Sequence, residues 1–182
     1  MKLRRTLKEE KQKKADSIVK SVLNQDYISL SLKNGLVIEE DVEDSTTKVA
    51  YEVAMKTAAG VEILFIKGSG HGAVDAFFSS LKSALVGQYE SLKNIVFREF
   101  AISADMGRFS QKHSGSNSAV EAVLVVQNKR HEDLIFRKKS RSTNKAALST
   151  VLSAIEHFIN SEKAVIILEN CIKDAKKRNR GD

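Results

Sequence analysis

The chain has 182 residues, 42% of them hydrophobic and 29% charged, with a formal net charge of +7; that is one domain's worth of globular protein, too apolar for wholesale disorder. The longest aliphatic runs, Ala122–Val126 and Ala164–Leu168, fall far short of the ~20 residues that span a bilayer, and the basic start runs into Lys8-Glu9-Glu10-Lys11 where a signal peptide would be apolar, so neither a membrane span nor secretion is expected. A single cysteine, Cys171, excludes an intrachain disulfide framework and a multi-thiolate zinc site and suits a reducing cytoplasm.

The positive charge belongs to the ends. Residues 1–20 carry eight Lys/Arg against three acids and residues 173–182 five against two, while the body between them has 17 bases and 18 acids. No aromatic interleaves the first basic segment, unlike a folded nucleic-acid-binding face. These ends read as solvated helical termini, with a phosphate-tracking arm as the alternative.

From Lys2 to about Leu23 strong helix formers carry a broken apolar stripe (Leu3, Leu7, Ile18, Val19, Val22, Leu23), which predicts a peripheral helix. Strand alternation follows at Tyr27–Leu32, and Asn34-Gly35 reads as a turn leading into Leu36-Val37-Ile38. The acidic stretch Glu39–Thr47 reads as a surface loop. Lys48–Lys56 and Val61–Lys67 form a hairpin across Thr57-Ala58-Ala59-Gly60. After Gly68-Ser69-Gly70-His71-Gly72 the period changes from two to 3.6, and Val74, Phe77, Phe78, Leu81 and Leu85 define an amphipathic helix lying on a sheet.

A second round begins with a strand at Asn94–Ser103 and a Gly/Ser-rich loop at Gly107–Ser118. A hairpin of Glu121–Asn128 and Glu132–Lys138 follows, then a helix from about Thr143 with Ala147, Val151, Ala154, Ile155 and Phe158 inward. A last helix, Ser161 to about Lys177, carries Val165, Leu168, Cys171, Ile172 and Ala175 on one side, where the cysteine reads as core rather than nucleophile. The expected fold is α+β: two pseudo-repeated βββα units with helices packed on antiparallel sheets, plus terminal helices. The organisation is a basic helical segment (1–26), a duplicated body (27–160) and a C-terminal helix with a basic tail (161–182).

The four histidines lack the spacing and cysteine partners of a metal site, and no nucleophile motif frames Ser79, Ser80 or Ser83. No catalytic set, metal or cofactor is therefore expected. The glycine segment is the most informative stretch. Glycines between strand and helix allow either a tight turn or close approach of a small anion to the first helical amides. Neither a dinucleotide fingerprint nor a P-loop fits the spacing. His71 could bond a carboxylate or stand exposed, and Asp75 could meet an ammonium or complement the helix dipole.

Gly70-His71-Gly72-Ala73-Val74-Asp75-Ala76, with the order of elements and the duplication over roughly 27–160, resembles the C-terminal regulatory domain of 2-isopropylmalate synthase and citramalate synthase, whose units carry a G-x-G-P-V-D-A turn. Ala73 stands in the place of that proline, and Ser142-Thr143-Asn144-Lys145-Ala146-Ala147 departs from the aspartate and aliphatics usual in the second unit. The resemblance implies an allosteric module of leucine-type biosynthesis: a homodimer without catalytic activity of its own that binds a branched-chain amino acid and acts on a separately encoded catalytic subunit. The ligand residues it implies are Gly70, His71, Gly72, Ala73, Val74 and Asp75, with Thr143 and Asn144 in the second unit. A nucleic-acid-associated protein working through its basic ends, or a structural dimerisation domain with an inactive pocket, are the alternatives.

Overall fold

A computed structural model describes residues 2–41, 46–104 and 119–178. The elements run α1 (Lys2–Leu23), β1 (Ser29–Asp41), β2 (Thr46–Thr57), β3 (Gly60–His71), α2 (Ala73–Leu85), β4 (Val96–Ala104), β5 (Val120–Gln127), β6 (Asp133–Ser140) and α3 (Thr143–Arg178), with short 3-10 helices at Asn24–Asp26 and Glu90–Asn94. Two antiparallel three-stranded sheets, β1-β2-β3 and β4-β5-β6, are each followed by a helix that packs on them. The expected α+β pair of βββα units is the architecture.

Alternation along β2 puts Val49, Tyr51, Val53 and Met55 on the face that meets α2, and the helical stripe answers with buried Ala76, Phe77, Phe78, Leu81 and Leu85. Tyr51 and Phe77 meet edge to face at 4.9 Å between ring centroids, the favoured geometry for two ring quadrupoles. In the second unit Leu124, Val126 and Phe136 face Val151, Ile155 and Phe158 of α3 within one core shared by both units.

Five expectations change. Asn34-Gly35 is not a turn: neither residue has positive φ, which the tight hairpin turn would need, and β1 continues to Asp41 with a register shift between Leu32 and Asn34. Gly35 then lies opposite Tyr51, whose ring fills the space a Cβ would take. The loop expected at Glu39–Thr47 is shorter, because strand pairing reaches Asp41 on one side and Thr46 on the other. Gly68–His71 belongs to β3 rather than to the strand-to-helix turn, so Gly72 alone makes that turn. Finally, the two helices expected after Thr143 are one helix of 36 residues. The chain has no proline and no glycine between Ser116 and Arg180, so nothing terminates it, and the boundary at 160/161 falls inside α3. Cys171 on its far half is exposed rather than core. The Gly107–Ser118 loop lies outside the described residues.

Both sheets have an edge strand whose outward amides are met by helix side chains, which blunts the edge against further pairing. Along β6, Gln12 Oε1 of α1 accepts the Ile135 N–H at 3.0 Å, while Glu9 pairs with Arg137 at 2.9 Å and Asp16 with His157 Nδ1 at 2.6 Å. Residues 9, 12 and 16 share one helix face, so α1 docks through a polar stripe, and its apolar Leu7 and Ile18 stay exposed. Along β1 the helix is α3. Asn160 Oδ1 accepts the Ile28 N–H, Asn160 Nδ2 donates to the Ile28 and Glu156 carbonyls, all at 2.8 Å, and the Glu156 carboxylate accepts the Leu30 N–H. Two side chains one helical turn apart thereby lock the first strand of one unit to the helix of the other.

Candidate functional site

The glycine segment folds as it does because α2 lies very close to β3. A Cβ on Gly68 would collide with Ser80, and one on Gly70 would sit 2.7 Å from Asp75 Oδ2 and 2.8–2.9 Å from the backbone N and Cα of Ala76. Gly72 has φ 98° with open space around it, so there the glycine answers a backbone conformation and not a contact. Asp75 is already engaged: its Oδ2 accepts the His71 N–H at 3.2 Å, closing the strand-to-helix turn. His71 is exposed, Val74 is half-buried, and Ala73 is the first residue of α2.

Ala73 is the position at which proline fits best in a helix, since its amide has no partner inside the helix and the fixed φ is already helical. Ala73→Pro is therefore expected to stabilise the fold by about 0.4–1 kcal/mol, chiefly by restricting the unfolded chain; a lowered denaturation midpoint would contradict the geometry described for this turn.

The corresponding turn of the second unit is built on serine. Ser142 Oγ accepts the Lys145 N–H at 3.3 Å and the Ser142 carbonyl accepts the Ala146 N–H at 2.9 Å, an N-cap arrangement. Thr143 and Asn144 open α3 and are exposed. Asn144 joins the wall of a cleft that neither Thr143 nor any of the residues from Gly70 to Asp75 lines.

That cleft, about 880 Å³, runs between β1 of the first unit and α3 of the second. Leu30, Leu32, Leu148 and Leu152 form its apolar wall, and Lys138, Lys145 and Glu156 bring charge to it. Burial pushes the Glu156 carboxyl above the usual carboxylate range, partly offset by the Leu30 N–H and by the charges of Lys138 and Lys20. A second, polar cleft of about 420 Å³ between α1, β6 and α3 shares Lys138, Ser153 and Glu156 with the first. It contains the Asp16–His157 pair, whose imidazole lies edge-on to Phe136 and Phe158, and Tyr27, whose phenol is pushed up by burial and by the carboxylates of Glu156 and Asp16.

Of the residues expected at a site, Asn144 is thus the one that reaches this cleft. Glu156, Lys138 and Lys145 were not singled out by sequence reasoning. One signal was available: Glu156 and Asn160, four residues apart, are polar positions interleaved with the apolar Ala154, Ile155, Phe158 and Ile159. No family model and no curated protein matches the chain.

Proposed function

We propose that the chain is a non-catalytic regulatory module that holds a small zwitterion with an aliphatic side chain, of the branched-chain amino-acid class, in the cleft between its two units. The observation that carries this reading is the juxtaposition of a leucine wall with a carboxylate, Glu156, and two ammonium groups, Lys138 and Lys145, in a space of ligand size. The leucines take the side chain, Glu156 the α-ammonium, and the lysines the α-carboxylate. Because the walls belong to different units, a bound ligand favours one arrangement of the two, and a catalytic partner that prefers that arrangement responds to it. The reading sets this exchange in the cytoplasm.

Calorimetry against leucine, isoleucine, valine and their 2-oxo acids tests it. The amino acids are expected to bind and the oxo acids, which lack the ammonium, to bind at least tenfold more weakly. Glu156→Gln keeps an acceptor for the Leu30 N–H but removes the charge, so it should weaken amino-acid binding by roughly ten- to a hundredfold and leave the oxo acids unaffected. The pH dependence has a definite sign. The raised Glu156 carboxyl is neutralised on acidification before an ordinary carboxylate would be, so amino-acid affinity falls as pH drops through that raised value, and Glu156→Gln abolishes this fall. Binding of none of these compounds would leave a structural dimerisation domain. Loss of binding in folded Gly72→Val, with Glu156→Gln unaffected, would move the ligand to the glycine turn.

A further inference from the structure

Along α3 one face repeats with strict alternation of three and four residues. Ala147, Val151, Ala154 and Phe158 are at most 7% exposed, covered by the chain's own core. Ser161 continues the spacing, and Val165, Leu168, Ile172 and Ala175 extend it. There the cover ends: Val165 is 52%, Leu168 44% and Ile172 54% exposed, and from Val165 to Arg178 every residue but the half-buried Ile167 is exposed. Fourteen residues, about 21 Å of helix, leave the body carrying an apolar seam of coiled-coil spacing with nothing of the described residues against it.

We infer that this half of α3 packs antiparallel against the same segment of a second copy of the chain, making a twofold helix pair. With Val165 opposite Ala175 of the second copy, and Leu168 opposite Ile172, each apolar layer is filled. Lys176 of each copy then lies beside Glu162 of the other, whose carboxylate also accepts the Glu90 and Ser91 N–H groups of its own chain at 3.1 and 2.8 Å. A parallel pair offers no such match: it aligns the helix dipoles and sets the basic ends, Lys173, Lys176, Lys177 and Arg178, side by side. The antiparallel pair separates those ends by its full length. One like-charge contact remains, Glu169 against Glu169 of the second copy near the twofold axis. Four seam residues per copy put the contact at or below the low end of stable interfaces, ~1,200–2,000 Å², so association is concentration-dependent. The pairing concerns the expected homodimer and not the ligand cleft, so a failed ligand titration and a failed association are separate results.

Sedimentation of the full chain across the micromolar range should show a monomer–dimer equilibrium. Leu168→Glu, at a position 44% exposed, should give a monomer with unchanged circular dichroism. Lys176→Glu should weaken the dimer roughly tenfold, and Glu169→Gln should strengthen it. Orientation is read from spin labels. A label on native Cys171 lies beside the twofold axis and gives a short distance; a label on Lys177→Cys, in a Cys171→Ser background, gives one about 20 Å longer along the axis. Equal short distances would mean a parallel pair, a dimer that survives Leu168→Glu would lie elsewhere, the exposed sheet face of Leu36 and Phe65 being next, and a monomer at all concentrations would mean no self-pairing. Each of the three overturns the inference.

Discussion

Asn160→Ala is expected to destabilise the protein by about 3–5 kcal/mol, among the largest effects of any single truncation of a side chain this small. The amide is 1% exposed and makes three hydrogen bonds, two of them to the N–H and C=O of Ile28, itself 2% exposed. Truncation leaves a buried donor and a buried acceptor without partners, each costing about 1–3 kcal/mol, and removes the link to the Glu156 carbonyl as well. Water cannot easily enter to repair them, because Ile28 sits in the core shared by both units. Asn160→Asp is the informative control. It keeps the acceptor for the Ile28 N–H but replaces a donor to two carbonyls by an oxygen, so it too should destabilise, and more so once the carboxyl ionises. Urea denaturation of the three proteins checks this. A loss below about 1 kcal/mol for Asn160→Ala would mean that solvent reaches the clamp.

The same clamp shows where sequence reasoning stops. Periodicity recovers the sheets and the inward faces of α2 and α3, because strand and helix each expose one face to a core and the pattern of Val49, Tyr51, Val53 and Met55 or of Ala147, Val151, Ala154 and Phe158 records which face. It also finds the hairpins, whose turns stand between clear alternations. Contacts between the units leave no such trace. The partner of Asn160 lies 132 residues away, and a polar residue in an apolar run does not announce which backbone it satisfies. Turn chemistry misled for a related reason. Asn34-Gly35 has the composition of a hairpin turn, yet the glycine is there to receive the ring of Tyr51 across the strand pair, a tertiary demand that local propensity does not contain. The cleft was missed as a site because its walls come from Leu30 to Val37 on one side and Ser142 to Glu156 on the other, and only the packing of α3 on β1 brings them together.

Gly70→Val is expected to cost about 3 kcal/mol or more, and comparison with Gly72 separates two roles a glycine can play. At Gly70 the obstacle is backbone: the added carbon would meet the N and Cα of Ala76 at 2.8 and 2.9 Å, atoms that cannot turn aside. Relief requires α2 to lift from β3, which uncovers Phe77 and Leu81, both fully buried, and loosens the Tyr51–Phe77 contact. Gly72→Ala has no clash to relieve and should cost only the ~1–3 kcal/mol of holding an L-residue at φ 98°, ψ 157°, a region that glycine alone adopts readily. Asp75→Ala decides between the neighbours of Gly70. If its carboxylate, 2.7 Å from the added carbon, were the real obstruction, then Asp75→Ala would restore most of the stability lost in Gly70→Ala, since a flexible side chain would have been removed. With Ala76 as the obstruction, the double variant stays as unstable as Gly70→Ala and loses in addition the acceptor of the His71 N–H. Denaturation midpoints of the four proteins in one buffer give the coupling energy; near-complete rescue would assign the glycine to the turn's side-chain chemistry, and its absence assigns Gly70 to the close seating of α2 on the sheet.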